Sequence, residues 1–307
     1  MQSARVIKNT DSQEVAVVFA IRLHSMHITP LEERHNYEFF VKNLLTRQMD
    51  FIHALHELPP SCAVELRYLY DPRQPNTLSI YFLAQASHSK RAAALKQAAE
   101  LEHYLLHLLM VNNHLHEFHL VKNARQLRSL SQPFAFRHIV EIHRREDLIS
   151  LDTVRFKPKR LGFLHGPEEV RLPTGSSSPV YYVFPYFPHS GNMERLCNML
   201  SLQPHPCLVS ICLRPYRLTL ADENFLTERL KVCEKYAQLT LDGHGEVRIM
   251  EAYLKNQAQA LHKECDKEYL QLLDAAFLIK VQLASTHPLR PELINMVGTT
   301  ITEHSGV

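Results

Sequence analysis

The sequence predicts an α+β protein, and three observations carry that class. Short β-branched segments run apolar or alternate, longer segments repeat apolar residues at helical steps, and the order strand, helix, hairpin, helix, strand is met once in full and repeated without its last strand in 307 residues. With 45% hydrophobic and 21% charged residues and a net charge of +2, the chain has enough apolar material for real cores and is neither disordered nor collagen-like. The longest unbroken apolar run, Val15 to Ile21, is far short of the ~20 residues of a membrane helix. The N-terminus MQSARVIKNTDSQE has no apolar signal-peptide core, so a cytoplasmic location is expected.

The first unit is predicted over residues 1–122. EVAVVFAIRLHS (14–25) reads as a buried strand from its Val, Phe and Ile content. Tyr37, Val41, Leu44, Leu45, Ile52 and Leu55 predict a helix over 31–58, stopped by Pro59-Pro60. CAVELRYLY (62–70) alternates, with Val64, Leu66, Tyr68 and Tyr70 on one side and Glu65 and Arg67 on the other. DPRQPN makes the turn into LSIYFLAQAS (78–87). The next helix, from Ser89, puts Ala94, Ala98, Leu101, Leu105 and Leu108 on one stripe, and EFHLV (117–121) closes the unit. This is the ferredoxin-like, split βαβ plan.

A second ferredoxin-like unit is predicted over 179–307. Its strand PVYYVFPYF (179–187) precedes a helix over 192–202, then CLVSICLRP (207–215) with Val209, Ile211 and Leu213 inward. Setting Pro215 against Pro72 aligns Leu66 with Val209, Tyr68 with Ile211 and Tyr70 with Leu213. AAFLIKVQLAS (275–285) returns and leads into a helix from Pro291. Where the first unit has a short turn, the second carries an αα-hairpin insertion, 219–273, with Thr219 as N-cap and Asp222 and Glu223 in the first turn. The second unit lacks its last strand, so the polypeptide is expected to continue past Val307. The connector 123–178 reads as a solvated linker with one edge strand, AFRHIVEIH. Between Lys122 and Arg160 it holds ten basic and four acidic residues, and a phosphate-contacting patch there would need a convergence of side chains that spacing alone does not give.

No residue is singled out as catalytic, cofactor-binding or metal-binding. All eight glycines fall at or after Gly162, and neither GxxxxGK[ST] nor GxGxxG occurs, so no familiar phosphate loop is present. The six cysteines form no CxxC. Cys207 and Cys212, five apart on one strand, point to opposite faces. Among twenty histidines, His103 and His107 sit four apart in HYLLH, without the glutamate of HExxH. His114, His116 and His119 follow, and His262 lies one turn from Cys265, with no second pair to complete a site. No GxSxG elbow is found.

The run FFVKNLLTRQMDFIHALHELPPSCAVELRYLYDP resembles the N-terminal region of HerA/FtsK-type P-loop ATPases, including the conjugation ATPases of type IV secretion. CLVSICLRPYRLTLADENFL is similar to their second unit. The likeness spreads over residues 30–300 as short, degenerate pieces. It implies a non-catalytic assembly and docking role beside a ring-forming motor, in DNA translocation, conjugation or phage defence. The implied partners are the chain's own downstream ATPase domain or a separate ATPase, further copies in a ring, and DNA reached through the motor. Walker motifs being absent, no ATP-binding residue carries over. The alternative expectation is a stand-alone RNA-binding or RNA-processing protein with paired ferredoxin-like units, against which stands the lack of a glycine-rich loop near the C-terminus.

Overall fold

Strand β2 (Val15–Met26) is apolar without interruption from Val15 to Ile21 because both faces of that stretch are covered, as the computed structural model shows. Val15, Val17, Phe19 and Ile21 enter one core cluster, and Val18 and Ala20 enter another on the opposite face. The structure describes residues 4–8, 14–26, 46, 49–73, 78–112, 116–144, 146–149, 153–156, 168–171, 180–183, 192–238 and 246–301. It divides into two bodies, one formed by Met1–His143, Tyr186–Arg217 and Phe277–Val307, the other by Arg144–Pro185 and Leu218–Ala276.

The first body is an antiparallel sheet with helices, so the α+β class holds. Its remaining strands are β1 (Arg5–Lys8), β3 (Cys62–Tyr70), β4 (Leu78–His88), β5 (His116–Leu120), β6 (His138–Ile142), β11 (Cys207–Tyr216) and β12 (Ala276–Ser285). They run in the order β1-β2-β4-β3-β11-β12-β6, with β5 also on β2. The stretch β5-β2-β4-β3 is the strand order of the split βαβ plan. β1 pairs with Val15–Val18 and β5 with Ile21–Met26, so two short strands share the outer side of β2.

Helix α1 (Arg91–Asn112) lays the predicted stripe, Ala94, Ala98, Leu101, Leu105 and Leu108, on the face that carries Phe19, Ile21, Val64 and Ala84. Of the helix expected over 31–58, residues 49–56 are helical, Leu55 and Leu58 are buried, and the chain turns at Pro59-Pro60; 31–45 lie outside the described residues. Along the same sheet face, Tyr68 and Tyr70 join Val209, Val281 and Leu283 under α3 (Asn192–Ser201) and α6 (Pro291–Ile301), whose Leu196, Leu200, Leu293 and Val297 fill that cluster. β3 and β11 are antiparallel, with Arg67 opposite Ser210.

Two expectations are corrected here. The strand expected over 179–187 is present as β10 (Val180–Val183), but it pairs with β7 (Glu146–Ile149) in the second body, and β6 holds the place beside β12. The period-two pattern of VYYV specifies a strand without specifying its partner, and Val140 and Ile142 of β6 are what face Leu283 and Val281. Residues 123–178 are also more than a linker: they contain α2 (Ala124–Ser131), β6, β7 and the β8–β9 pair (Thr153–Phe156, Glu168–Arg171). Asn123 caps α2, its side chain accepting from the Arg125 and Gln126 backbone N–H groups. Leu127 and Leu130 then cover Val18, Ala20, Tyr81 and Leu83 on the second sheet face, and the Arg67 guanidinium donates to the Leu130 carbonyl at the helix end.

In the second body, α4 (Leu220–Ala237) and α5 (Glu246–Asp274) form the expected hairpin. Thr219 and Asp222 make a reciprocal capping box at its start. Its core comprises Cys233, Tyr236, Ala258, Leu261 and Cys265, with Val180 of β10 among them.

Candidate functional site at the open edge of the sheet

Among the described residues, β6 is the terminal strand on its side of the sheet. It covers only part of β12: Val281 to Ser285 pair with Ile142 to His138, and Ala276–Lys280 have no strand beyond them on that side among the described residues. The edge is therefore a step. Backbone donors and acceptors line it, and Ile139 is 56% exposed beside it, with Leu278 and Ile279 of β12 also exposed. An extended segment laid along this step would gain main-chain hydrogen bonds and apolar cover together.

Charged side chains fix the register of this edge. Glu141 accepts from Gln282 Nε2 at 3.1 Å, and Lys280 Nζ lies 3.3 Å from the same carboxylate oxygen. Burial pushes the Glu141 carboxyl up, but Lys280 and Gln282 outweigh it and hold the group below its ordinary value. His143 Nε2 is 3.6 Å from the other oxygen.

At the end of the step where Ser285 faces His138, basic groups from three chain segments converge. The rings of His205, in the turn before β11, and His287, just after β12, stack with centroids 3.6 Å apart and planes 14° from parallel. Arg137 and His138 come from the start of β6, where the Arg137 N–H donates to the Ser285 carbonyl. Ser285 ties the corner together: its hydroxyl donates to the Pro206 carbonyl at 2.9 Å and accepts from the His287 N–H at 3.3 Å. Thr286 Oγ1 lies 2.9 Å from His287 Nδ1. Burial, then His205, Arg137 and His138, hold the His287 imidazole below its ordinary value.

Among the described residues, the histidines weighed from sequence are not brought together. His103 and His107 are exposed on α1, and His119 lies on β5 with Nε2 4.0 Å from Glu117. His114 and the His116 side chain lie outside the described residues. His262 is half-buried on α5 near the fully buried Cys265. Among the described residues no three His, Cys, Asp or Glu side chains are placed to hold a metal ion. Cys207 and Cys212 do face opposite sides of β11: Cys207 packs with Val209 and Leu283, and Cys212 pairs across from Glu65. Sequence reading missed His205 and His287, which are 82 residues apart, because only the β12–β6 pairing and the turn at Pro206 bring them to Arg137.

No family model matches the chain, and no curated protein matches it.

Proposed function

We propose that this chain is a non-catalytic assembly and docking region of a HerA/FtsK-type P-loop ATPase, acting in DNA translocation, conjugation or phage defence. The observation that carries the reading is the stepped edge of β6 and β12, which offers a strand position and exposed Ile139, Leu278 and Ile279 to a neighbour. The sequence likeness in FFVKNLLTRQMDFIHALHELPPSCAVELRYLYDP supplies the family. In this reading the strand order β11-β12-β6 is a second ferredoxin-like unit short of its last strand, completed by the ATPase domain or by a partner ATPase. The assembly is a cytoplasmic ring, and DNA is engaged through the motor.

Two measurements test the proposal. Pure chain should not hydrolyse ATP above background, and measurable turnover would sink the non-catalytic reading. The coding sequence after codon 307 should contain a strand and then GxxxxGK[ST] within a few hundred residues, or a neighbouring gene should supply them. If neither holds, the motor assignment fails.

A further inference from the structure

We propose that Arg137, His138, His205 and His287 form a phosphate-binding site at the corner of the sheet. This is independent of strand docking at the neighbouring edge. The argument begins with sign. The His205 and His287 rings stack at 3.6 Å, the Arg137 N–H donates to the Ser285 carbonyl and His138 lies opposite Ser285. Basic residues from three segments thus meet at this corner, and no carboxylate is among the groups acting on His287. Like charges gathered this way are unfavourable unless an anion joins them, and the shared ligand that satisfies a guanidinium and several imidazole N–H groups is a tetrahedral oxyanion.

Local structure holds the groups in place without it. Ser285 bonds to both the Pro206 carbonyl and the His287 N–H, which fixes the turn carrying His205 against the one carrying His287. The ring stack then sets the two imidazoles parallel at 3.6 Å. The Thr286 contact engages His287 at Nδ1 and leaves Nε2 unused by it. The other charged groups on the elements that meet here are Glu141, engaged by Lys280 and Gln282 with His143 3.6 Å away, Arg214 on β11, and Arg290 and Glu292 at the start of α6.

Phosphate bound here favours the protonated form of His287, whose pKa burial and the neighbouring basic groups lower, so binding takes up a proton and tightens as pH falls. The test is titration of the full chain with inorganic phosphate, followed through the His205 and His287 ring resonances and by calorimetry. The expected result is saturable perturbation of both rings, with affinity rising about tenfold from about pH 7.5 to about pH 6 and falling about tenfold in Arg137→Gln. Arg137 is exposed, and an unchanged melting temperature for the variant separates lost binding from lost folding. A DNA duplex and a single-stranded RNA, each added with and without phosphate, distinguish the source: competition assigns the site to a nucleic-acid backbone, and its absence to free phosphate. Unperturbed rings, or perturbation that Arg137→Gln and His287→Gln both leave unchanged, would overturn the proposal.

Discussion

Arg229 and Glu268 meet across the two helices of the hairpin with Nη2 2.6 Å from Oε2, their side chains 5% and 15% exposed. One turn further along, Cys233 and Cys265 are fully buried in the same core. Removing one member of such a pair leaves the other charge in low dielectric. Glu268→Gln is therefore expected to lower stability by about 3 kcal/mol in urea unfolding, while the double change Arg229→Met with Glu268→Leu recovers most of the loss. A single variant as stable as the parent would show that the pair is solvated.

The hairpin has its own core, so the large sheet is expected to fold without it. Replacing 219–273 by an Asn-Gly turn should preserve one cooperative thermal transition with strand-rich circular dichroism. Loss of cooperativity would make the hairpin part of the sheet's core.

Arg67 is 8% exposed; its Nε lies 2.6 Å from Glu65 and its guanidinium also reaches the Leu130 carbonyl. Arg67→Met keeps bulk and removes both bonds. The expected cost is about 2–3 kcal/mol, read from the denaturation midpoint, with amide exchange rising in α2 before the rest of the sheet.

Folding lowers the His287 pKa, through burial and the basic groups beside it. Stabilisation tied to the neutral ring is thus present above the unfolded value of ~6.5 and is lost as pH falls through the depressed folded value. Comparing melting temperatures of the parent and His287→Asn from about pH 8 to about pH 5 should show the parent losing ground on the acid side. A difference constant across that range would contradict the assignment.

Burial pushes the Cys207 thiol up to about 12, so little thiolate exists at neutral pH. Peptide-resolved alkylation at about pH 8 should leave Cys207 unmodified in the native chain and modify it fully in denaturant. Fast native modification would place it at the surface.

What was legible in the sequence was local. Thr219 with Asp222, the stripe Ala94 to Leu108, and the alternation of β3 each follow from contacts within a few residues, and each is found where expected. Pairing was not legible. β10 and β6 both read as strands, and which of them lies beside β12 is decided by residues more than a hundred positions away. Helix α2 was missed because its eight residues give only Leu127 and Leu130 as a pattern, inside a segment whose basic charge dominates. The corner of Arg137, His138, His205 and His287 left no signal beyond abundant histidine, since it exists only after the sheet closes.

The two ends of the large sheet differ, and the difference gives growth a direction. At β2 the outer side is taken by β1 and β5, four and five residues long, and the pairing with β5 shifts register between Leu23 and Ser25. A straight incoming strand finds no continuous template there among the described residues, whereas at the other end the step left by β6 exposes Ala276–Lys280 of β12. A unit that accepts a strand at one end and refuses it at the other adds a single neighbour through its sheet. With that position filled by the ATPase domain, the head-to-tail repetition that turns an exposed strand into a fibril would find no free template at β6.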